Sequence, residues 1–301
     1  MDLQNRYRGA LLGLAAGDAV GTTLEFKPRG SFEPLTDMVG GGPFDLEPGQ
    51  WTDDTSMALC LAESLIRCDA FDPRDQMNRY ANWYQHGYWS STGTCFDIGV
   101  ATRGAIHTYL VTGEPLAGNI DPDSAGNGSI MRLAPVALRF ARKPELQAMA
   151  VLSSRTTHAA EECLDACRLL VVALERALAG CDKTEVLDLA AIEVSSQRLR
   201  DIAAGGYRSA KRDQVRGTGY VVDSLEAALW CFHQHDTFAG AVLEAANLGD
   251  DADTTAAVVG QLAGAFYGVA GIPAAWLARV HRGDEIAALA DGLLQRNLAE
   301  A

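Results

Sequence analysis

The sequence predicts an all-α fold, and three observations support this prediction. First, apolar residues recur at helical spacing in eight segments: residues 54–68, 97–112, 145–153, 160–180, 222–235, 237–247, 254–268 and 284–296. Second, strand-like alternation is almost absent, and its nearest case is residues 220–222. Third, no linker-like tract divides the 301 residues, so we expect one compact domain over residues 1–301.

Two apolar stretches imitate targeting signals but are interpreted as helices of the fold. Residues 9–17 follow two arginines, as in a signal peptide, but the apolar run is short and Asp18 ends it. Residues 254–278 carry no charged side chain and are long enough to span a bilayer. However, glycines recur at every fourth residue from Gly260 to Gly268, a spacing that lets helices approach closely. We therefore expect a buried helix and no membrane insertion.

Between these helices, two segments have distinctive compositions. Residues 181–219 are the most polar part of the chain and are expected to be partly exposed. Four aromatic residues precede the helical pattern at 97–112, namely Trp83, Tyr84, Tyr88 and Trp89. Packing between helices and a wall of a binding cleft are both open interpretations of this aromatic cluster.

The net charge of the chain restricts the kinds of molecule that it can bind. The formal charge is −14 and the sequence pI is about 4.8. Because a phosphate backbone is bound mainly by Lys and Arg, this charge argues against general nucleic-acid binding, although a small phosphorylated ligand fits. The seven cysteines are odd in number and form no Cys-x-x-Cys pair. Free thiols in the reducing cytoplasm are the simplest account.

Two acidic clusters are the strongest chemical signal in the chain. The first is Thr52-Asp53-Asp54-Thr55 and the second is Asp250-Asp251-Ala252-Asp253-Thr254-Thr255, and each precedes an apolar helical segment. Crowded carboxylates at the start of a buried helix repel one another and lose hydration. Oxygen ligands of this kind suit Mg²⁺ or Mn²⁺. Helix N-capping is the alternative for either cluster alone.

Two glycine-containing segments are further candidates for ligand binding. Residues 126–132 bring successive small residues into a helical segment, where backbone N–H groups and the helix dipole can bind a phosphate. Arg132 is either a phosphate contact or a structural partner of this loop. Residues 17–21, followed by Glu25, end a glycine-containing helix beside a carboxylate, which by itself is a weak signal.

Five motifs, taken in order, resemble those of the ADP-ribosylglycohydrolase family over about residues 6–278: Gly17-Asp18-Ala19-Val20-Gly21 with Glu25, Gly49-Gln50-Trp51-Thr52-Asp53-Asp54-Thr55, Gly126-Asn127-Gly128-Ser129 with Met131-Arg132, Thr157-His158, and Gly249 with Asp251-Ala252-Asp253-Thr254. The chain is most similar to the branch of the dinitrogenase reductase-activating glycohydrolase, through Gly40-Gly41-Gly42, Asp97 with Gly99, Tyr220-Val221-Val222-Asp223-Ser224, and Asp236-Thr237-Phe238.

The resemblance implies a compact all-α fold with a binuclear Mg²⁺ or Mn²⁺ centre at the bottom of a cleft. The implied metal ligands are Thr52, Asp53, Asp54, Asp251, Asp253 and Thr254. Glu25 matches a glutamate near the metals that acts in catalysis or in gating in related members. Asp97 matches an aspartate that lies near the scissile bond in the arginine-specific branch. The implied substrate-binding residues are the phosphate loop and two cleft residues, namely Gly126, Asn127, Gly128, Ser129, His158 and Tyr220.

The resemblance also implies an activity. The chain is expected to release ADP-ribose from ADP-ribosylated protein by cleaving the N-glycosidic bond to arginine. A hydrolase of another ADP-ribose linkage (serine, a nucleic-acid base or O-acetyl-ADP-ribose) and a non-catalytic ADP-ribose-binding protein are the alternatives. One departure concerns the second cluster, where the family usually has two glycines and this chain has Gly249-Asp250. The oligomeric state is left open.

Overall fold

A computed structural model describes residues 1–68 and 70–299, and the expected all-α fold is confirmed. The expected domain also included residues 69, 300 and 301, which lie outside the described residues. Only isolated bridges and no named strand occur in the described part of the chain. The helices found there are α1 (Leu3–Gly21), α2 (Asp53–Arg67), α3 (Pro73–His86), α4 (Val100–Thr112), α5 (Ala134–Phe140), α6 (Leu146–Arg155), α7 (Glu161–Ala179), α8 (Lys183–Val186), α9 (Gln197–Ala203), α10 (Val221–Gln234), α11 (Phe238–Ala246), α12 (Ala252–Tyr267), α13 (Ala274–Leu277) and α14 (Gly283–Ala299).

Helices α1 and α12 pack against each other along a stripe of glycines. A Cβ atom on Gly17 would lie 2.1 Å from the carbonyl oxygen of Ala256, and one on Gly264 would lie 2.0 Å from that of Gly9. Larger side chains would therefore separate the two backbones. The order of these contacts shows that the helices run antiparallel, so the end of α1 lies beside the beginning of α12. No helix in the described ranges is long and apolar enough to cross a bilayer.

Helix α3 was not among the predicted segments. Its sequence is polar, and its buried face consists of a few residues such as Met77, Tyr80 and Trp83. The ends carry ordinary signals that define the helix: Asp72 caps the first turn with its side chain, and Gly87 ends the helix in the left-handed conformation. Trp83 is fully buried, which agrees with the packing interpretation of the aromatic cluster.

Helix α4 begins later than the predicted residue 97. Asp97 has a φ of 58°, in the left-handed region, so it cannot continue a right-handed helix. Gly99 is the N-cap, and the helix starts at Val100. This difference matters for function because the Asp97 side chain stands ahead of α4, next to Glu25, instead of on the helix surface. All seven cysteines are free thiols, as expected.

Candidate metal centre and substrate cleft

The two acidic clusters of the sequence meet where α2 and α12 begin. Asp54 lies in the first turn of α2, and Asp253 lies in the first turn of α12. The Asp54 Oδ2 atom is 3.4 Å from the hydroxyl oxygens of both Thr52 and Thr254. The Thr52 hydroxyl oxygen is also 3.3 Å from Asp253 Oδ2. Four of the expected ligands, from distant parts of the sequence, thus form one group of oxygen atoms.

The geometry of this group suits a hard divalent cation. Adjacent oxygens around an octahedral Mg²⁺ ion are about 3 Å apart, since each lies about 2.0–2.1 Å from the metal. The observed separations of 3.3 and 3.4 Å are close to that value. In addition, Asp54 Oδ1, Asp253 Oδ1 and Glu25 Oε2 are buried, and no N–H or hydroxyl group within residues 1–68 and 70–299 donates to them. Buried polar atoms are normally satisfied, so these orphaned oxygens fit ligation of an ion.

The electrostatics of the centre favour the same interpretation. Burial raises the pKa of Asp53, Asp54 and Asp253 well above the ordinary value, and neighbouring carboxylates raise each of them further. Asp53 therefore belongs to the same electrostatic group as the other ligands. Because a positive charge stabilises ionised carboxylates, a bound cation would reverse these shifts.

Glu25 and Asp97 form a second group of carboxylates next to Asp253. One oxygen atom from each of these three side chains lies within 4.8 Å of the others. Burial, followed by repulsion from Asp97 and Asp251, raises the pKa of Glu25 to about 10. Burial raises the pKa of Asp97 to about 7, although its hydrogen bond with Glu25 acts in the opposite direction. In the absence of a cation, Glu25 is therefore the member of the pair that holds a proton more strongly.

Residues 126–129 form a turn that contacts the second acidic cluster. The side-chain amide of Asn127 donates to Asp251 Oδ2 at 2.8 Å. The backbone N–H of Asn127 donates to the Gly219 carbonyl, and the Ser129 hydroxyl is buried beside the Cys167 thiol. The expected helix dipole does not support this turn, because the next helix begins only at Ala134.

The side chains of His158 and Arg132 pack against the turn and stabilise it. The His158 side chain is 3% exposed, and a Cβ atom on Gly128 would lie 2.6 Å from its Cε1 atom. Burial lowers the pKa of His158 to about 3, so the ring is neutral. Arg132 is fully buried and donates to the Gly128 carbonyl and the Thr157 hydroxyl at 2.7 Å each. Arg132 is therefore a structural partner of the turn.

A groove of about 1150 Å³ opens beside the turn, and Tyr220 is one of its lining residues. One wall is the small-residue face of α4, and the other is formed by residues within 117–126. The Tyr220 hydroxyl donates to Glu162, and the guanidinium of Arg198 lies 5.6 Å from the centre of the Tyr220 ring. Gly126 and Gly219, at the inner end, connect the groove with the Asn127–Asp251 contact.

Asp250 has a backbone role that explains its position. Its φ is 56°, in the left-handed region that favours glycine and that aspartate tolerates. Its N–H donates to the Lys27 carbonyl, and its carbonyl accepts from the Phe26 N–H. The residue therefore joins the second acidic cluster to the segment that carries Glu25.

One residue of the centre, Asp18, was not singled out as a site residue from the sequence. It is fully buried near the end of α1 and accepts four hydrogen bonds from Thr52 and Thr55. The one sequence feature that pointed to Asp18 was its place in the Gly17–Gly21 motif. The partners are more than thirty positions away, so their contact with it depends on the fold.

Comparisons with known proteins agree with these observations. Residues 1–300 match the family model described as ADP-ribosylglycohydrolase. The chain is 52% identical over 297 residues to the ADP-ribosylarginine hydrolase Tri1 of Pseudomonas putida (strain GB-1), covering 97% of this chain and 78% of that protein. It is 33% identical over 287 residues to the ADP-ribosyl-[dinitrogen reductase] glycohydrolase of Rhodospirillum rubrum, covering 92% and 91%.

A solved structure is similar over almost its whole length. The structure titled "ADP-ribosylglycohydrolase-related protein complex" superimposes with a TM-score of 0.88 at 44% sequence identity. The match covers 98% of this chain and 99% of the solved chain. Sequence motifs, helical fold and family match therefore agree, and the chain belongs to the ADP-ribosylglycohydrolase family.

Proposed function

We propose that this chain is a metal-dependent hydrolase that removes ADP-ribose from modified protein, cleaving the N-glycosidic bond of ADP-ribosyl-arginine, and that residues 1–301 act as one catalytic domain. The observation that carries the proposal is the Asn127–Asp251 hydrogen bond of 2.8 Å, which joins the glycine turn to the carboxylate centre. A substrate with phosphates next to a ribose can therefore contact both. The relatives named ADP-ribosylarginine hydrolase support arginine as the linkage.

The carboxylate centre is the proposed site of two divalent cations, Mg²⁺ or Mn²⁺. The ligands that we assign are Thr52, Asp53, Asp54, Asp251, Asp253 and Thr254. Bound there, such ions would orient the ribose through its hydroxyl groups and lower the pKa of a water molecule. The protein contributes buried carboxylates that are held by two helix starts, so little rearrangement is needed on binding.

The turn at residues 126–129 is the proposed phosphate site. Its small residues, Ser129 among them, let a phosphate approach the backbone N–H groups of the turn. His158 fills the space behind Gly128 and keeps the turn from collapsing inward. Tyr220 and the groove beside it receive the rest of the nucleotide.

Glu25 and Asp97 are the proposed proton-transfer pair. In hydrolysis, the bond between ribose C1″ and the guanidinium nitrogen breaks, and the oxygen of water bonds to C1″. One proton of the water must then reach the departing nitrogen. The two carboxyls lie next to each other beside Asp253, so they can take that proton and return one to the leaving group.

A panel of linkages tests the proposal. Protein that is ADP-ribosylated on arginine, protein modified on serine, a modified nucleic-acid base and O-acetyl-ADP-ribose are each incubated with the enzyme and Mn²⁺ or Mg²⁺. We expect ADP-ribose to be released mainly from arginine, and the Asp54→Asn variant to lose most of this release. Preferential release from another linkage would contradict the arginine assignment. Binding of ADP-ribose without hydrolysis of any linkage, when a related enzyme is active on the same substrates, would contradict the proposed activity.

A further inference from the structure

We propose that Asp18 is a positioning residue, which holds the start of α2 and turns the lone pairs of the Thr52 hydroxyl toward the metal site. This inference rests on the metal site of the proposed function. It concerns how the protein prepares that site before any ion or substrate binds.

Asp18 is saturated with hydrogen bonds from α2. Its Oδ1 atom accepts from the backbone N–H and the hydroxyl of Thr52, both at 2.9 Å. Its Oδ2 atom accepts from the backbone N–H of Thr55 at 3.0 Å and from the Thr55 hydroxyl at 2.6 Å. The side chain of Asp18 thus caps α2 from another helix, and Thr52 makes no side-chain capping bond of its own.

The bond to Asp18 decides where the Thr52 proton points. A hydroxyl group has one proton and two lone pairs. Because the proton is donated to Asp18, the longer contacts of 3.4 Å to Asp54 and 3.3 Å to Asp253 join lone pairs of Thr52 to carboxylate oxygens. Lone pairs that face each other repel, and these contacts become favourable only when a cation lies between the oxygen atoms. If Asp18 were absent, the hydroxyl could rotate and donate to one of these carboxylates, which would compete with metal binding.

The chemistry of the site requires a carboxylate at this position. Four donors converge on Asp18, and an ionised carboxylate only accepts. Asparagine would place an NH₂ group against two of these donors. The partial positive charge at the start of α2 partly compensates the buried negative charge.

The position of Asp18 also connects the two halves of the ligand set. One residue away, Gly17 contacts the backbone of α12 so closely that a Cβ atom would lie 2.1 Å from the Ala256 carbonyl oxygen. Helix α12 carries Asp253, and Asp18 contacts the start of α2. Helix α1 is therefore the common support of both acidic clusters.

The test measures metal affinity directly. Protein stripped with a chelator is titrated with Mn²⁺ in a calorimeter, and the wild type is compared with Asp18→Asn. We expect Asp18→Asn to bind Mn²⁺ about 10–100-fold more weakly, the usual effect of losing a residue that orients a ligand. At saturating Mn²⁺, most of kcat should return and KM should change little, because Asp18 does not touch the substrate groove.

Asp165→Asn is the matched control. Asp165 is also a buried aspartate, 1% exposed, that accepts two hydrogen bonds from another segment, here from the backbone N–H and hydroxyl of Ser195. This variant should lose stability but keep the wild-type Mn²⁺ affinity. If Asp18→Asn does not fold, Thr55→Val and Thr55→Ser replace it: only the valine, which lacks the hydroxyl donor, should weaken Mn²⁺ binding.

Two results would overturn the inference: equal Mn²⁺ affinity for Asp18→Asn and Asp165→Asn, or equal affinity for the two Thr55 variants. The proposed function can fail separately. If the wild type binds Mn²⁺ and Asp18→Asn binds it more weakly, the inference holds even when no ADP-ribose linkage is hydrolysed. If arginine-linked ADP-ribose is hydrolysed and Asp18→Asn binds Mn²⁺ normally, only the inference fails.

Discussion

Replacing Glu25 with glutamine should stabilise the protein in the presence of a chelator, by an amount that increases with pH. The pKa of Glu25 rises from 4.5 to about 10 on burial, so the folded protein keeps a proton at neutral pH that the unfolded chain releases. In this range the folded state binds more protons, and stability falls as pH rises. Each pH unit above the unfolded pKa removes about 1.4 kcal/mol, so the loss between pH 4.5 and 7 is about 3 kcal/mol. Glutamine does not titrate, so the Glu25→Gln variant avoids this loss.

Urea unfolding with EDTA, at pH 4.5 and at pH 7, measures the effect. The free energy of unfolding of Glu25→Gln minus that of the wild type should increase by about 3 kcal/mol between the two pH values. With saturating Mn²⁺ the difference in unfolding free energy between Glu25→Gln and the wild type should be smaller, because a cation favours the ionised form of Glu25. A change below about 1 kcal/mol between the two pH values would refute the reasoning.

Glu63→Gln is the control of opposite sign. Burial acts to raise the pKa of Glu63, but hydrogen bonds from Tyr88 and Trp89 and the charge of Arg79 outweigh it, and the net shift is downward. The ionised Glu63 therefore stabilises the fold above its unfolded pKa, and this contribution is lost as pH falls. Glu63→Gln should thus destabilise the protein more at pH 7 than at pH 4.5.

Three further predictions concern the turn, the helix pair and the metal. Gly128→Ala would place a Cβ atom 2.6 Å from His158, and calorimetry should show ADP-ribose binding weakened about tenfold or more while Mn²⁺ affinity is unchanged. Gly260→Ala would place a Cβ atom 2.2 Å from the Gly13 carbonyl oxygen and should lower the free energy of urea unfolding by about 1–3 kcal/mol or more. Gly104→Ala, which meets no atom within 4 Å, is the control for the stability of Gly260→Ala, and an equal loss of stability there would contradict that prediction. For Gly128→Ala, an equal weakening of Mn²⁺ binding would contradict an effect confined to the turn. EDTA should abolish hydrolysis, and Mn²⁺ at one hundred times its Kd should stabilise the fold by about 2.7 kcal/mol for each ion bound. Unchanged thermal unfolding with Mn²⁺ would contradict a metal site.

Much of the fold and of the candidate centre could be predicted from the sequence because these features depend on residues that are close together in the chain. Helical periodicity predicts α7, α10 and α12 since each has a continuous apolar face. The acidic clusters were visible because their members are adjacent in the sequence. The glycine repeat after residue 254 predicted close packing for the same reason, and the contacts of Gly260 and Gly264 confirm it.

Other features depend on contacts between distant residues and could not be predicted. Helix α3 has only a narrow apolar face, so periodicity did not detect it. The left-handed backbone of Asp97 delays the start of the predicted helix to Val100 and places the Asp97 carboxyl beside Glu25, a contact between residues far apart in the sequence. The four bonds of Asp18 join positions more than thirty residues apart, and no short pattern encodes them.

The most direct test of the central claim is the release of ADP-ribose from arginine-modified protein as Mn²⁺ is added stepwise to chelator-treated enzyme. The account predicts no release without metal, and release that reaches its maximum when two Mn²⁺ ions are bound per chain. Full release in excess EDTA would contradict the claim. So would no release at saturating Mn²⁺ when a related hydrolase cleaves the same substrate.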